Sequence, residues 1–396
     1  MTQYIDTITS PRRRRRQAPF ARGGESPLLA RLDWVLLFAV CGLVAYGLWA
    51  IAGITRHDVA GNESYFLVRQ AVFAAAGLAL MVGAIFVDPQ WYRRSKFLLY
   101  VLMIGLMVLV AFVGTVSRGS RRWIDVSFFR FQPSEFAKVL FVLTIAAFLA
   151  DRARRVEELR TPLLAIALAV PPVLLVMLQP DLGSGLVYIA ALTACLFVVG
   201  VRWLHLALFG AVAVVLAASV LWLLPATGID VLKPYQVARL TGFTNPDEDP
   251  RGTTYNVRQA ITAVGSGGFS GRGVQGATQT RLDYLPEHAT DFAFASLSEQ
   301  RGFVGAAVLM LLYLLVVWRG FKIVTLARDP YSAIVAAGLV FALIFQVFVN
   351  IGMTMGVAPV TGITLPFVSV GGSSLVANLV AIGVLEAICV HSRGRS

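Results

Sequence analysis

Residues Trp34–Ile54 read WVLLFAVCGLVAYGLWAIAGI, a stretch with no charged side chain and no proline. About twenty such residues, at 1.5 Å each, reach across the hydrocarbon of a bilayer, and only a helix satisfies its own backbone there. The same reading outward along the chain gives spans at Ala71–Val87, Phe97–Val116, Gln132–Ala150, Leu163–Gln179, Gly183–Gly200, Leu204–Leu224, Phe303–Trp318, Tyr331–Met355 and Val370–Val390. The expected fold is therefore an all-α polytopic membrane protein of about ten transmembrane helices. A long extracytoplasmic loop, 225–301, separates helices seven and eight.

Composition agrees. Of the 396 residues 57% are hydrophobic and only 14% charged, and the mean hydropathy of +0.73 is too high for an ordinary soluble domain. The net charge of +12 could suggest nucleic acid. However, Lys and Arg sit in short segments between apolar runs, where membrane topology requires them, so no nucleic-acid partner is expected. Arg93, Arg94 and Lys96, then Arg152, Arg154, Arg155 and Arg160, then Arg319, Lys322 and Arg328, and finally Arg393 and Arg395 fall on one side of this map, with the tail bearing Arg12–Arg16. That side reads as cytoplasm. Residues 1–32 are expected to be a disordered basic tail meeting anionic lipid, 33–391 one membrane domain, and 392–396 a cytoplasmic end. Cys41, Cys195 and Cys389 lie in apolar runs, and His57, His205, His288 and His391 have no ligand spacing, so neither disulfides nor a zinc site is expected.

The chemistry-bearing residues gather on the opposite side. Tyr284–Gly302, YLPEHATDFAFASLSEQRG, ends the long loop and places Asp291 where the chain re-enters apolar sequence. A carboxylate at that depth is costly without a use, although a helix cap is the plainer account. Gln132-Pro133-Ser134-Glu135 opens the fourth span, with Lys138 three residues beyond Glu135 on the same helix face. The two can pair, either to fix packing or to line a cavity. Asp181, in Gln179-Pro180-Asp181-Leu182-Gly183, either caps the next helix or meets substrate or metal. The long loop carries Arg239, Asn245-Pro246, the acidic Asp247–Asp249, Arg258 and the glycines Gly265, Gly267, Gly268, Gly271, Gly273 and Gly276. Their spacing matches neither a P-loop nor a dinucleotide fingerprint. Asn350-Ile351-Gly352-Met353, Pro359–Ile363 and Gly371-Gly372-Ser373-Ser374 read as a re-entrant element, where Pro and Gly backbone lines a cavity or lets helices approach closely.

Taken together these residues resemble the SEDS family of bacterial cell-wall polymerases (shape, elongation, division and sporulation), from the first span to the last. Carrying the resemblance are Arg122-Trp123-Ile124-Asp125 with the Gln-Pro-Ser-Glu block, Gln179–Gly183, Asn245-Pro246, Leu285-Pro286-Glu287 with Thr290-Asp291-Phe292, and the terminal Gly-Gly-Ser-Ser. Phe131 and the Asn-Ile-Gly-Met and Pro-Val-Thr-Gly-Ile wording are closer to the elongation branch (RodA) than to the division branch (FtsW). The chain departs from the family pattern at His288-Ala289, where a His directly before the Thr is usual, at Ser298-Glu299-Gln300 and at Val370.

The resemblance implies a peptidoglycan glycosyltransferase that polymerises lipid II into glycan strands during elongation, with Asp291 as general base. It implies substrate-binding roles for Glu135, Lys138, Asp181, Arg239, Arg258 and Glu299. Either a divalent cation (Mg or Mn) or arginines would neutralise the departing pyrophosphate. The implied partners are lipid II, the growing strand, membrane lipid and a class B penicillin-binding protein. A lipid II flippase and the division-type polymerase are the alternatives, and an inactive scaffold is a third.

Overall fold

The computed structural model describes residues 28–117, 120–126, 129–228 and 253–394. The basic run Arg12–Arg16, Arg239, Asn245-Pro246 and the acidic run Asp247–Asp249 lie outside the described residues.

Ten helices are long and apolar enough to cross a membrane: Trp34–Ile54, Tyr65–Ile85, Lys96–Val113, Pro133–Asp151, Arg160–Leu178, Leu182–Val199, Trp203–Ala226, Ala293–Leu326, Pro330–Thr354 and Gly372–Gly394. They are numbered here as spans in that order. The fourth, ninth and tenth spans form the centre of the bundle, while helix Trp203–Ala218 of the seventh buries no residue. Small residues set the close approaches. A Cβ at Gly47 would stand 2.2 Å from the Phe367 carbonyl oxygen, and one at Gly183 would stand 2.7 Å from that of Thr361. The chain between the ninth and tenth spans is thereby pressed into the bundle, as expected for irregular backbone that is buried in protein.

Several boundaries differ from expectation. Leu28–Arg31 is helical, so the tail does not run unstructured to residue 32, and the last helix continues to Gly394 rather than ending at 390. The second span starts at Tyr65, before the polar Arg69 and Gln70 that read as loop. Gln70 is buried there because its amide donates to the Ser369 carbonyl (3.1 Å) and accepts from the Gly371 N–H (3.2 Å). The eighth span starts at Ala293 and breaks at Gly302, which has φ 63°. Its first segment looks like loop in sequence because Ser296, Ser298, Glu299 and Gln300 are polar, yet all four are buried. The loop itself contains the helix Thr253–Gly267. The fold is not purely helical either. β1 (Thr115–Ser117), β2 (Ser120–Val126) and β3 (Phe129–Phe131) form an antiparallel sheet in the order β1-β2-β3 between the third and fourth spans.

At the end away from that sheet, Asp33 caps the first span and accepts from Arg319 Nε at 2.9 Å, while its own N–H donates to Glu386 (3.1 Å). All three residues are buried, and they tie the first, eighth and tenth spans together. A buried charge is tolerable only with such partners.

Candidate active site

The other end of the bundle opens into a cavity of about 510 Å³. Seven parts of the chain wall it, one of them Asp58 in the loop after the first span. The second span supplies Arg69 and Phe73, and the sheet supplies Arg122, Trp123 and Arg130. The fourth span contributes Gln132, Glu135 and Lys138 from its first turns, and the sixth contributes Asp181 and Ser184. Glu287–Asp291 forms one side, and Gly362–Thr364 with Val370–Gly372 forms another.

Asp291 is partly buried and stands one residue before Phe292, the N-cap of the eighth span, which has no side-chain cap bond. The N-cap position thus belongs to Phe292, and Asp291 lines the cavity. The backbone beneath it is strapped at four consecutive carbonyls. His288 accepts from Ser296 Oγ (3.0 Å), Ala289 from the Val370 N–H (2.9 Å), Thr290 from Ser369 Oγ (2.5 Å) and Asp291 from Asn350 Nδ2 (2.8 Å). Asn350 also donates to the Ile363 carbonyl at 2.7 Å, so one buried amide joins the ninth span, the segment bearing Asp291 and the re-entrant chain. Such multiple restraint is what holds a reacting group in one geometry. Glu287 keeps a left-handed backbone (φ 57°) and accepts from Thr290 Oγ1 at 2.9 Å, adding a second carboxylate to this side of the cavity.

Glu135 and Lys138 pair at 2.8 Å, both buried, and Lys138 also donates to Gln346 Oε1 at 3.1 Å. Both alternatives raised for them are met: the pair fixes packing and lines the cavity. Asp181 takes the capping role raised for it and also lines the cavity. It caps the sixth span through the Ser184 N–H (3.1 Å) and Oγ (2.9 Å), accepts from Gln132 Nε2 (3.3 Å) and lies 3.7 Å from Arg122.

Two other residues expected at the site lie outside the cavity lining. Glu299 is fully buried away from the cavity, where it accepts from the Gln279 N–H (2.8 Å), the Thr280 N–H (3.0 Å) and Thr280 Oγ1 (2.7 Å). It clamps the loop to the eighth span, with both carboxylate oxygens engaged there. Arg258 is exposed on the helix Thr253–Gly267 and does not line the cavity. The cations that do line it, beside Lys138, are Arg69, Arg122 and Arg130. The Nε of Arg122 is buried with no hydrogen-bond partner among the described residues, a donor suited to an anionic ligand. A signal for these residues exists in the sequence: Arg122 and Arg130 lie on the outer side of the topology map, where the positive-inside rule does not ask for them.

Among the described residues, Asp58, Asp283 and His288 bring donor atoms close enough for a metal ion. Asp58 approaches Nε2 of the imidazole (3.1 Å) and Asp283 approaches Nδ1 (3.7 Å). The three donors lie within 4.8 Å of one another, with the two carboxylates facing different ring nitrogens.

A ten-span bundle with a charged cavity at one end, walled by a re-entrant chain and a loop carboxylate, defines a polytopic membrane protein whose polar groups gather at one end of the bundle. The family model FTSW_RODA_SPOVE, described as cell cycle protein, matches residues 30–394, and the chain belongs to this SEDS family. It is 38% identical to stage V sporulation protein E of Bacillus subtilis (strain 168), covering 93% of this chain and 98% of that one. It is 36% identical to the peptidoglycan glycosyltransferase MrdB of Escherichia coli (strain K12), covering 91% and 94%. Among solved structures, a chain of a peptidoglycan synthase complex that coordinates polymerization and crosslinking superposes with a TM-score of 0.77 at 31% identity, covering 91% of this chain and 98% of that one. The rod shape determining protein RodA of Thermus thermophilus superposes with a TM-score of 0.67 at 28% identity, covering 92% and 98%.

Proposed function

We propose that the chain is a peptidoglycan glycosyltransferase that polymerises lipid II at the extracytoplasmic membrane surface, with Asp291 as the general base. The observation that carries this reading is a restrained carboxylate in a cavity that also holds three arginines. In the reaction the Asp291 carboxylate takes the proton of the 4-hydroxyl of an incoming lipid II. The hydroxyl oxygen bonds to the anomeric carbon of the strand, and the bond from that carbon to the lipid pyrophosphate breaks. Arg69, Arg122 and Arg130 meet the charge that develops on the leaving group; fixed cations in a partly dry cavity stabilise such charge without reorganising. Because pyrophosphate leaves readily, one base and this positive wall supply the main parts. The lipid tails stay in the bilayer, which accounts for a sugar polymerase built from spans.

Purified chain in detergent should convert lipid II to glycan; no glycan would favour the flippase alternative and sink this reading. An elongation role is the finer proposal, supported by Phe131 and by the Asn350–Met353 and Pro359–Ile363 wording. In cells depleted of their elongation polymerase the chain should restore rod shape, and in cells depleted of their division polymerase it should not restore septation. A class B penicillin-binding protein is the proposed partner, in keeping with the synthase complex to which the fold is similar.

The proposed sidedness puts both termini in the cytoplasm, supported by the alternation of basic segments. A cysteine placed at Gly276 should react with an impermeant reagent added outside intact cells, and one placed at Arg155 should not. The reverse pattern would invert the topology and remove the cavity from its substrate.

A further inference from the structure

His288 lies three residues before Asp291, and the chemistry described so far does not use it. The ring is buried, and both of its nitrogens face acceptors. Nε2 lies 3.1 and 3.2 Å from the two carboxylate oxygens of Asp58, in the loop joining the first and second spans. Nδ1 lies 3.7 Å from Asp283, and the ring has a further hydrogen bond with the Leu285 backbone. A neutral imidazole has one N–H and can serve only one side of this arrangement, whereas the imidazolium serves both. We propose that His288, as an imidazolium held between Asp58 and the Asp283–Leu285 turn, is a positioning residue that fixes the Asp291 segment against the loop between the first two spans. The proposal rests on the polymerase reading given above.

The backbone straps on residues 288–291 come from the eighth and ninth spans and from the re-entrant chain. Asp58 ties the same segment to a different wall of the cavity. The turn it secures is strained, since Asp283 and Glu287 both hold left-handed backbone (φ 54° and 57°), and such conformations persist only where surroundings over-determine them.

The electrostatics have a definite sign. Burial works against a charged ring, but the hydrogen bond and charge of Asp58, then Asp283, then the Leu285 bond outweigh it and raise the His288 pKa. Arg69, Arg122, Arg130 and Lys138 share the cavity and oppose the charge, with Glu135, Asp181, Glu287 and Asp291 offsetting them. A raised value means the latch is complete below the ordinary histidine pKa of about 6.5 and is lost as pH climbs through the folded value.

The test is the pH profile of lipid II polymerisation by the full chain. In wild type kcat should decline on the alkaline side of about pH 6.5. Asp58→Asn should move that decline to lower pH, and Asp58→Glu should restore it. His288→Gln should lower kcat by about tenfold or more, with KM within about twofold, and should abolish the decline, because a displaced base costs turnover rather than binding. A decline that stays in place in Asp58→Asn overturns the proposal, even if His288→Gln does not fold, and so does a flat wild-type profile. If wild type makes no glycan at any pH, the functional reading fails separately. The latch is then judged by thermal unfolding in detergent, where the midpoint should fall with rising pH in wild type more steeply than in Asp58→Asn. Equal slopes would overturn it.

Discussion

Asp291→Asn should abolish lipid II polymerisation while leaving a folded protein of wild-type thermal midpoint. The amide has nearly the same size, and the straps on this segment are made by backbone carbonyls that the substitution leaves alone. It cannot take up a proton, so a base role implies a loss of at least about a hundredfold. A cap would tolerate the change, since Asn and Asp are close to equivalent there. Single-turnover assays with saturating lipid II are the measurement. Near wild-type rates would show that another group, with Glu287 the nearest in sequence, takes the proton.

Neutralising one member of the Glu135–Lys138 pair should cost more than neutralising both. Each side chain is more than nine-tenths buried and the charges are 2.8 Å apart, so Glu135→Gln leaves an ammonium facing Gln346 among the described residues, and Lys138→Met leaves a carboxylate without its cation. Breaking one half of a buried pair typically costs about 3–5 kcal/mol, whereas replacing both with uncharged groups is often near neutral. Folded yield and unfolding midpoints of the two single variants and the double variant should therefore close a cycle with a large coupling energy. Simple additivity would mean that the charges do not stabilise each other.

The location of the cavity cations explains why part of the site was hard to read. Glu135, Lys138 and Asp181 are legible because each sits at the start of an apolar run, and a charge there needs a reason. Arg122 and Arg130 come to the cavity on β2 and β3, strands too short to give a periodic signal next to spans of eighteen residues or more. Arg69 lies in a segment that looks like loop because its neighbour Gln70 is polar, and only the buried backbone groups at Ser369 and Gly371 make that glutamine acceptable inside. Glu299 is placed away from the cavity. Its place in the motif suggests substrate contact, but the three donors it serves belong to the Gln279–Thr280 turn. The Ser296–Gln300 stretch looked like loop for the same reason, because hydropathy counts polar atoms without knowing which of them have partners.

What the sequence by itself determined is the membrane architecture: ten spans, a polar working end, the family, and the carboxylate placed at the rim. The family follows from the resemblance of the motifs, and the rest from hydropathy and charge, properties that a bilayer imposes on each segment separately. The tertiary structure alone decided which polar residues face one another. Asn350 under Asp291, Asp58 against His288 and Arg122 beside Asp181 join residues far apart in the chain. No local pattern encodes such pairs, because the energy that favours each one arises only after the spans have packed and removed both partners from water.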